Sequence, residues 1–264
     1  MSETETDARL AADLAHRAGQ LLLHLRATSE LEGRELGRRG DADSNALLLA
    51  ALAEARPNDA VLSEESADSP ERLSAARVWI IDPLDGTREY GMSGRTDWAV
   101  HVALWEAAAA GPAITAAAVA QPALDAVYAT DSPRIGEGLP RPATPTLPKA
   151  ILVSDSRPPD FAAAVAASLD AELVPMGSAG AKAMAVVRGE ADAYLHAGGQ
   201  WEWDSAAPVG VALAFGLHAS RIDGSVLAYN QPHPYLPDLL ICRTELAAPI
   251  LAAIATATKG TPSP

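Results

Sequence analysis

Leu10, Leu14, Ala18, Leu21, Leu22 and Leu25 recur at the spacing of a helix with one buried face. Thr4 or Thr6 can cap it, with acidic Glu5 and Asp7 favourable near its start. Residues 29–40 are polar, contain Gly33, Gly37 and Gly40, and predict a mobile loop that runs into Asp41. A second helix is predicted over residues 44–56, ending before Pro57. Ala60, Val61 and Leu62 form a short strand that delivers Ser63, Glu64 and Glu65, and residues 68–77 connect onward. Val78 to Ile81 is a continuous apolar run, as in a buried strand, broken by Pro83 and Gly86. Strands are predicted over 98–105, 114–120 and 126–130, the last two around a turn at Gln121 and Pro122.

Five prolines in the polar stretch 132–149 mark a boundary between halves 1–140 and 141–264. Beyond it strands (151–154, 173–176, 191–196) alternate with helices (161–169, 181–188). A further helix follows Asp204, placed to be its N-cap, and reaches Phe215. A strand (239–243) and a helix (246–257) close the chain. This alternation predicts an α/β, layered α+β fold.

The length of 264 residues allows one large domain or two intimate halves. A net charge of −14, spread along the chain, argues against a nucleic-acid groove or an anionic membrane surface as partner. It leaves room for a small phosphorylated ligand, because bound cations reverse the local sign. Cys242 stands alone in an apolar run, which excludes an internal disulfide and reads as a buried hydrophobe. The acidic start is no signal peptide and no uncharged run is long enough to span a membrane, so a cytoplasmic enzyme is expected.

Glu64, Glu65, Asp82, Asp85 and Asp204 all fall at predicted strand ends or helix starts, where α/β layers build sites. Carboxylates gathered in one place repel unless a cation neutralises them. An all-oxygen set without clustered His or Cys favours Mg²⁺ over Zn²⁺. The bland readings are a solvated Glu64-Glu65 turn, an Asp82-Pro83 turn starter and a helix-capping Asp204. Spacing alone leaves them level with a shared metal site.

Ser63-Glu64-Glu65, Asp82-Pro83-Leu84-Asp85-Gly86-Thr87 and Trp203-Asp204-Ser205-Ala206-Ala207 together resemble the three signatures of the inositol monophosphatase superfamily, in family order. Arg88-Glu89-Tyr90 and Ala228-Tyr229-Asn230 before Pro237 resemble its CysQ branch, of the mycobacterial type. The resemblance implies an αβαβα sandwich with an antiparallel first sheet and a mixed second sheet, usually dimeric. It implies a lithium-sensitive, Mg²⁺-dependent phosphatase (two or three ions) that converts 3′-phosphoadenosine 5′-phosphate to AMP and also accepts the 5′-phosphosulfate form. The role implied is clearing a by-product of sulfur assimilation.

The same resemblance assigns residues. Glu64, Asp82, the Leu84 carbonyl, Asp85 and Asp204 match metal ligands, and Gly86 and Thr87 the phosphate-binding backbone. Thr87 also matches the hydroxyl that activates water, with Asp41 rather than Asp43 as its partner. Glu65 matches a carboxylate that orients water or a third ion. Gly177, Ser178 and Lys182 fall where the family shapes its substrate pocket. Three departures stand out: Arg38-Arg39-Gly40 replace the usual residues before the upstream Asp, Pro208 replaces a Gly in what should be a helix's first turn, and Ala197 replaces a sugar-contacting acid. The last argues against inositol phosphate as main substrate. The rivals are an inositol or fructose phosphatase, and a non-catalytic phospholigand-binding protein of the same fold.

Overall fold

The computed structural model describes residues 6–108, 111–131 and 147–259. The proline-rich stretch read as a boundary lies largely outside the described residues. Thr6 caps α1 (Asp7–Thr28) by accepting the Arg9 N–H at 3.2 Å. Of the predicted stripe of α1, Leu10, Leu14, Ala18 and Leu22 are buried, and Leu21 and Leu25 are partly so. Helix α2 runs over Gly33–Ala55. It therefore takes in most of the stretch predicted as a mobile loop. The glycines that suggested flexibility are contact points instead: a Cβ on Gly37 would meet Thr87 Cγ2 at 2.6 Å, and one on Gly40 would meet Leu22, Leu84 and Tyr90 at 3.0 Å.

The first sheet has the order β1 (Ala60–Ser63), β2 (Arg77–Asp85), β3 (Ala99–Ala108), β4 (Gly111–Gln121), β5 (Ala126–Ala129). It is mixed rather than antiparallel throughout, because β1 pairs parallel with β2. Strand β2 also continues past Pro83 to Asp85. It accommodates the proline through an irregularity in its register with β3 between Asp82 and Asp85. A four-residue helix, α3 (Thr87–Tyr90), follows at once.

The second sheet has the order β7 (Glu172–Met176), β6 (Ala150–Ser154), β8 (Ala193–Trp201), β10 (Tyr235–Cys242), β9 (His218–Ser220). It mixes parallel and antiparallel pairs. The three-residue β9 is too short to be read from pattern. Helices α4 (Ala162–Leu169), α5 (Ala179–Arg188), α6 (Glu202–Ala214) and α7 (Ala247–Thr258) are interspersed with these strands.

Three cores define the layers. Trp79, Ile81, Val102 and Leu104 pack with Leu14, Leu22, Leu48 and Leu52 of α1 and α2. The alternate residues Val78, Ile80, Ala103 and Ala117 pack with α5, α6 and the inner face of the second sheet. Ile151, Leu195 and Leu240 on the outer face of that sheet pack with α4 and α7. The order is helix, sheet, helix, sheet, helix. Both faces of β2 are covered, which is why its sequence is apolar without alternation. Cys242 is free and buried. No helix among the described residues is long and apolar enough to cross a membrane.

Candidate active site

The end of β2, the start of α3 and the start of α6 converge beside the N-terminal end of α5. One carboxylate oxygen each from Asp82, Asp85 and Asp204 lies within 4.8 Å of the others. Asp82 is buried, and its Oδ1 accepts the Leu84 N–H at 3.0 Å, which holds the turn after Pro83. Burial, with Glu64, Asp85 and Asp204 around it, pushes its carboxyl well above the usual range. Burial and Asp85 push Asp204 up to about 7.

Asp204 is not the N-cap expected from sequence. Helix α6 begins at Glu202, and the Asp204 carboxylate reaches back to accept the Trp201 N–H at 2.6 Å. Pro208 consequently lies in the second turn rather than the first. Lacking an N–H, it leaves the Asp204 carbonyl without the usual partner four residues on.

Asp85 behaves differently. Burial acts to raise it, but His101, Ser178 and the Gly180 N–H outweigh this and hold it at about 2. Ser178 Oγ donates to its Oδ2 at 2.5 Å, and the Ala179 and Gly180 N–H groups donate at 3.1 and 2.7 Å. Asp85 thus joins the first sheet to the first turn of α5. His101, paired with Asp82 across β2 and β3, presents Nε2 3.2 Å from Asp85 Oδ2 and Nδ1 3.0 Å from the Trp203 carbonyl. His101 was not singled out from sequence, where it looks like one more residue of an apolar strand.

Gly86 has φ +86°, and a Cβ there would meet the Asp97 carbonyl and Ser178 Cβ at 3.1 Å. Glycine is therefore required at the turn. Thr87 Oγ1 lies 3.1 Å from the Leu84 carbonyl and 3.4 Å from Asp41 Oδ1, and it can donate to either. Asp41 is buried on α2. Burial and the charge of Glu65 push it up to about 7. Glu64 and Glu65 follow β1 and are exposed. Enough of the Glu64 carboxyl is nonetheless enclosed, with Asp204, Asp41 and Asp85 nearby, that it is pushed up to about 8. Glu64 stands outside the tight triad.

Part of this cluster borders a cavity of about 250 Å³. Asp85, Gly86, Thr87 and Asp204 line it, as do Gly177, Ser178 and Lys182. The Lys182 ammonium is spent inside the fold. It donates to the carbonyls of Met176, Gly177 and Ser178 at 3.3, 3.0 and 2.7 Å, and burial pushes it down to about 8. Tyr194, His196, Gln200 and Arg157 also line the cavity, and none was legible as a site residue beforehand. The Ala228-Tyr229-Asn230 segment braces α6 instead. The Asn230 N–H donates to buried Glu202 at 2.6 Å, and Tyr229 donates to Ser205 at 3.3 Å.

Three carboxylates facing one another, Asp82 and Asp85 buried and Asp204 half-buried, offering only oxygen, are the donor chemistry of a hard divalent cation. The residues present fit a metal ion.

The inositol monophosphatase family model matches residues 3–259. A Mycobacterium leprae protein named 3′-phosphoadenosine 5′-phosphate phosphatase is 55% identical over 256 residues, covering 94% of this chain and 93% of that protein. The Mycobacterium tuberculosis protein of the same name is 56% identical over 243 residues, covering 91% and 90%. Among solved structures, the staphylococcal inositol monophosphatase II superposes with a TM-score of 0.74 at 19% identity, over 96% of this chain and 97% of that one. The chain therefore belongs to the inositol monophosphatase family, and its layered fold is the fold of that family.

Proposed function

We propose that the protein is a Mg²⁺-dependent phosphomonoesterase that removes the 3′-phosphate of 3′-phosphoadenosine 5′-phosphate and also acts on the 5′-phosphosulfate form. The observation that carries this reading is the Asp82, Asp85 and Asp204 triad, of which Asp85 and Asp204 line a cavity that also exposes Thr87, whose hydroxyl faces Asp41. The names of the mycobacterial relatives support the substrate.

In this reading Asp82, Asp85 and Asp204, with Glu64 and the Leu84 carbonyl, hold two or three Mg²⁺ ions. Bound there, the metal supplies Lewis acidity, lowering the pKa of water and neutralising charge on the phosphate. The chain's own residues do the rest. Backbone N–H groups of Gly86 and Thr87, in a first helical turn without intrahelical partners, receive the phosphate oxygens. Thr87 Oγ1 takes the proton of the attacking water as its own proton passes to Asp41 Oδ1. With Asp41 raised to about 7, its affinity for that proton suits a base working near neutral pH. Glu65, exposed beside the site, orients water. Ser178 fixes Asp85 and contributes to the substrate wall. The reading carries with it a homodimer, a cytoplasmic location and inhibition by Li⁺.

The test is phosphate release in Mg²⁺ from 3′-phosphoadenosine 5′-phosphate, inositol 1-phosphate and fructose 1,6-bisphosphate, with and without Li⁺. The expected result is a strong preference for the nucleotide, lost in Li⁺ or on chelation. A preference for inositol phosphate would overturn the substrate. No release from any compound would favour a binding protein over an enzyme.

A further inference from the structure

The cavity runs from buried Asp85 to exposed Arg157, and its cations are unequally engaged. Lys182 is held by three carbonyls. Arg88 is paired with Glu89 at 2.5 Å and with Asp155 at 2.6 Å. Arg157 differs. Its backbone N–H donates to Ser154 Oγ at 3.2 Å, but its guanidinium makes no ion pair or hydrogen bond among the described residues. It lies across Gly199, where a Cβ would meet Nη1 at 2.5 Å. Gly199 stands at φ +71° directly after Gly198 at φ +84°, so this wall is backbone and leaves room for the arginine. The guanidinium is near enough to Tyr194 and His196 to act electrostatically on both.

We propose that Arg157 receives the phosphate of the substrate that is not cleaved. Arg157 is then the residue by which the site distinguishes a nucleoside bisphosphate from a monophosphate. The inference rests on the phosphomonoesterase reading above. The acidic floor of the cavity can hold a phosphate only with cations bound there. An unpaired guanidinium can take one directly, through two parallel N–H donors. A substrate with two phosphates meets both ends of the cavity; one with a single phosphate leaves Arg157 idle.

The experiment compares 3′-phosphoadenosine 5′-phosphate with adenosine 3′-phosphate, which differ only in the 5′-phosphate, on the wild-type protein and on Arg157→Gln. Arg157 is exposed, so the substitution leaves the core untouched. The wild-type protein should prefer the bisphosphate. Arg157→Gln should lose about 10- to 100-fold in kcat/KM on the bisphosphate, the worth of a charge-assisted hydrogen bond or two. The loss should fall in KM, with adenosine 3′-phosphate unaffected. Arg157→Lys should lie between, keeping charge without the fork. Undiminished preference in Arg157→Gln, or equal loss on both compounds, would overturn the assignment. Release of phosphate from neither compound by the wild-type protein would instead remove the phosphatase reading itself.

Discussion

Asp82 is a carboxylate placed where no carboxylate is comfortable alone. It is 1% exposed and faces Glu64, Asp85 and Asp204. Its structural duty, accepting the Leu84 N–H, is one an amide oxygen performs equally well. Asp82→Asn should therefore fold normally, with a metal-free melting temperature equal to or above wild type, because like-charge crowding is relieved. Its turnover should fall by more than about 100-fold, since even partners of metal ligands are worth that much. Phosphate release together with thermal melting checks both halves; near-normal activity would remove Asp82 from the metal site. Thr87→Ala should act on a different quantity. It removes the hydroxyl facing Asp41, so kcat should fall by about 10²- to 10⁴-fold with KM little changed. A change confined to KM would argue that Thr87 only binds.

At the scale of elements, α2 carries the largest difference between sequence and structure. Gly33, Gly37 and Gly40 read as flexibility because glycine is a poor helix former, about 1 kcal/mol worse than alanine at each position. In the fold they lie on the side of α2 that meets α3, where the Gly33 N–H donates to the Gly91 carbonyl at 3.2 Å. Asp41, four residues after Gly37, continues that face toward Thr87. Gly37→Ala poses two effects of opposite sign. Helix propensity alone predicts a more stable protein, whereas the 2.6 Å approach to Thr87 Cγ2 predicts that α2 is pushed away. The second should win, because a methyl group cannot fit in that space. A fall in kcat of about 10-fold is expected as Asp41 moves off Thr87, and steady-state kinetics with thermal melting measure it. An unchanged kcat with a raised melting temperature would show that α2 does not depend on close docking at Gly37 to hold Asp41.

For the whole molecule the governing fact is a set of acids drawn from α2, from the ends of β1 and β2 in the first sheet, and from α6. Asp41, Glu64 and Asp204 are raised to about 7, 8 and 7, and Asp82 is raised well above its ordinary value. An acid raised by folding holds a proton in the folded state that the unfolded chain has lost. Its contribution is full below the ordinary carboxylate range, about 4, and disappears as pH climbs through the folded value. The metal-free protein should therefore lose stability between about pH 4 and pH 8. Asp85, lowered to about 2, runs the other way. Its contribution is present above about 4 and is lost as pH falls through 2. A bound cation replaces the cluster's protons, so stabilisation by Mg²⁺ should grow with pH across the same window. Melting temperatures in chelator and in Mg²⁺, at pH 5.5 and pH 8, test this; a shift larger at pH 5.5 would contradict it.

The sequence by itself determined the elements whose chemistry is local. The leucine period of α1, the apolar run of β2, the turn residues around Gly86 and the order of acidic motifs are written in consecutive residues. The order of those motifs singled out Asp82, Asp85 and Asp204 as candidates before any of them had a position. Tertiary structure decided what depends on partners distant in the chain. Whether glycines bend or pack is set by Thr87 and Gly91 across from α2. Whether β1 runs parallel is set by pairing with β2 after a long connection. Which nitrogen faces Asp85 is set by β3, and which cavity cation is left without a partner among the described residues is settled only once Arg88 and Lys182 have found theirs. Propensity acts within a few residues, but close approach and charge pairing act between residues that the chain keeps far apart.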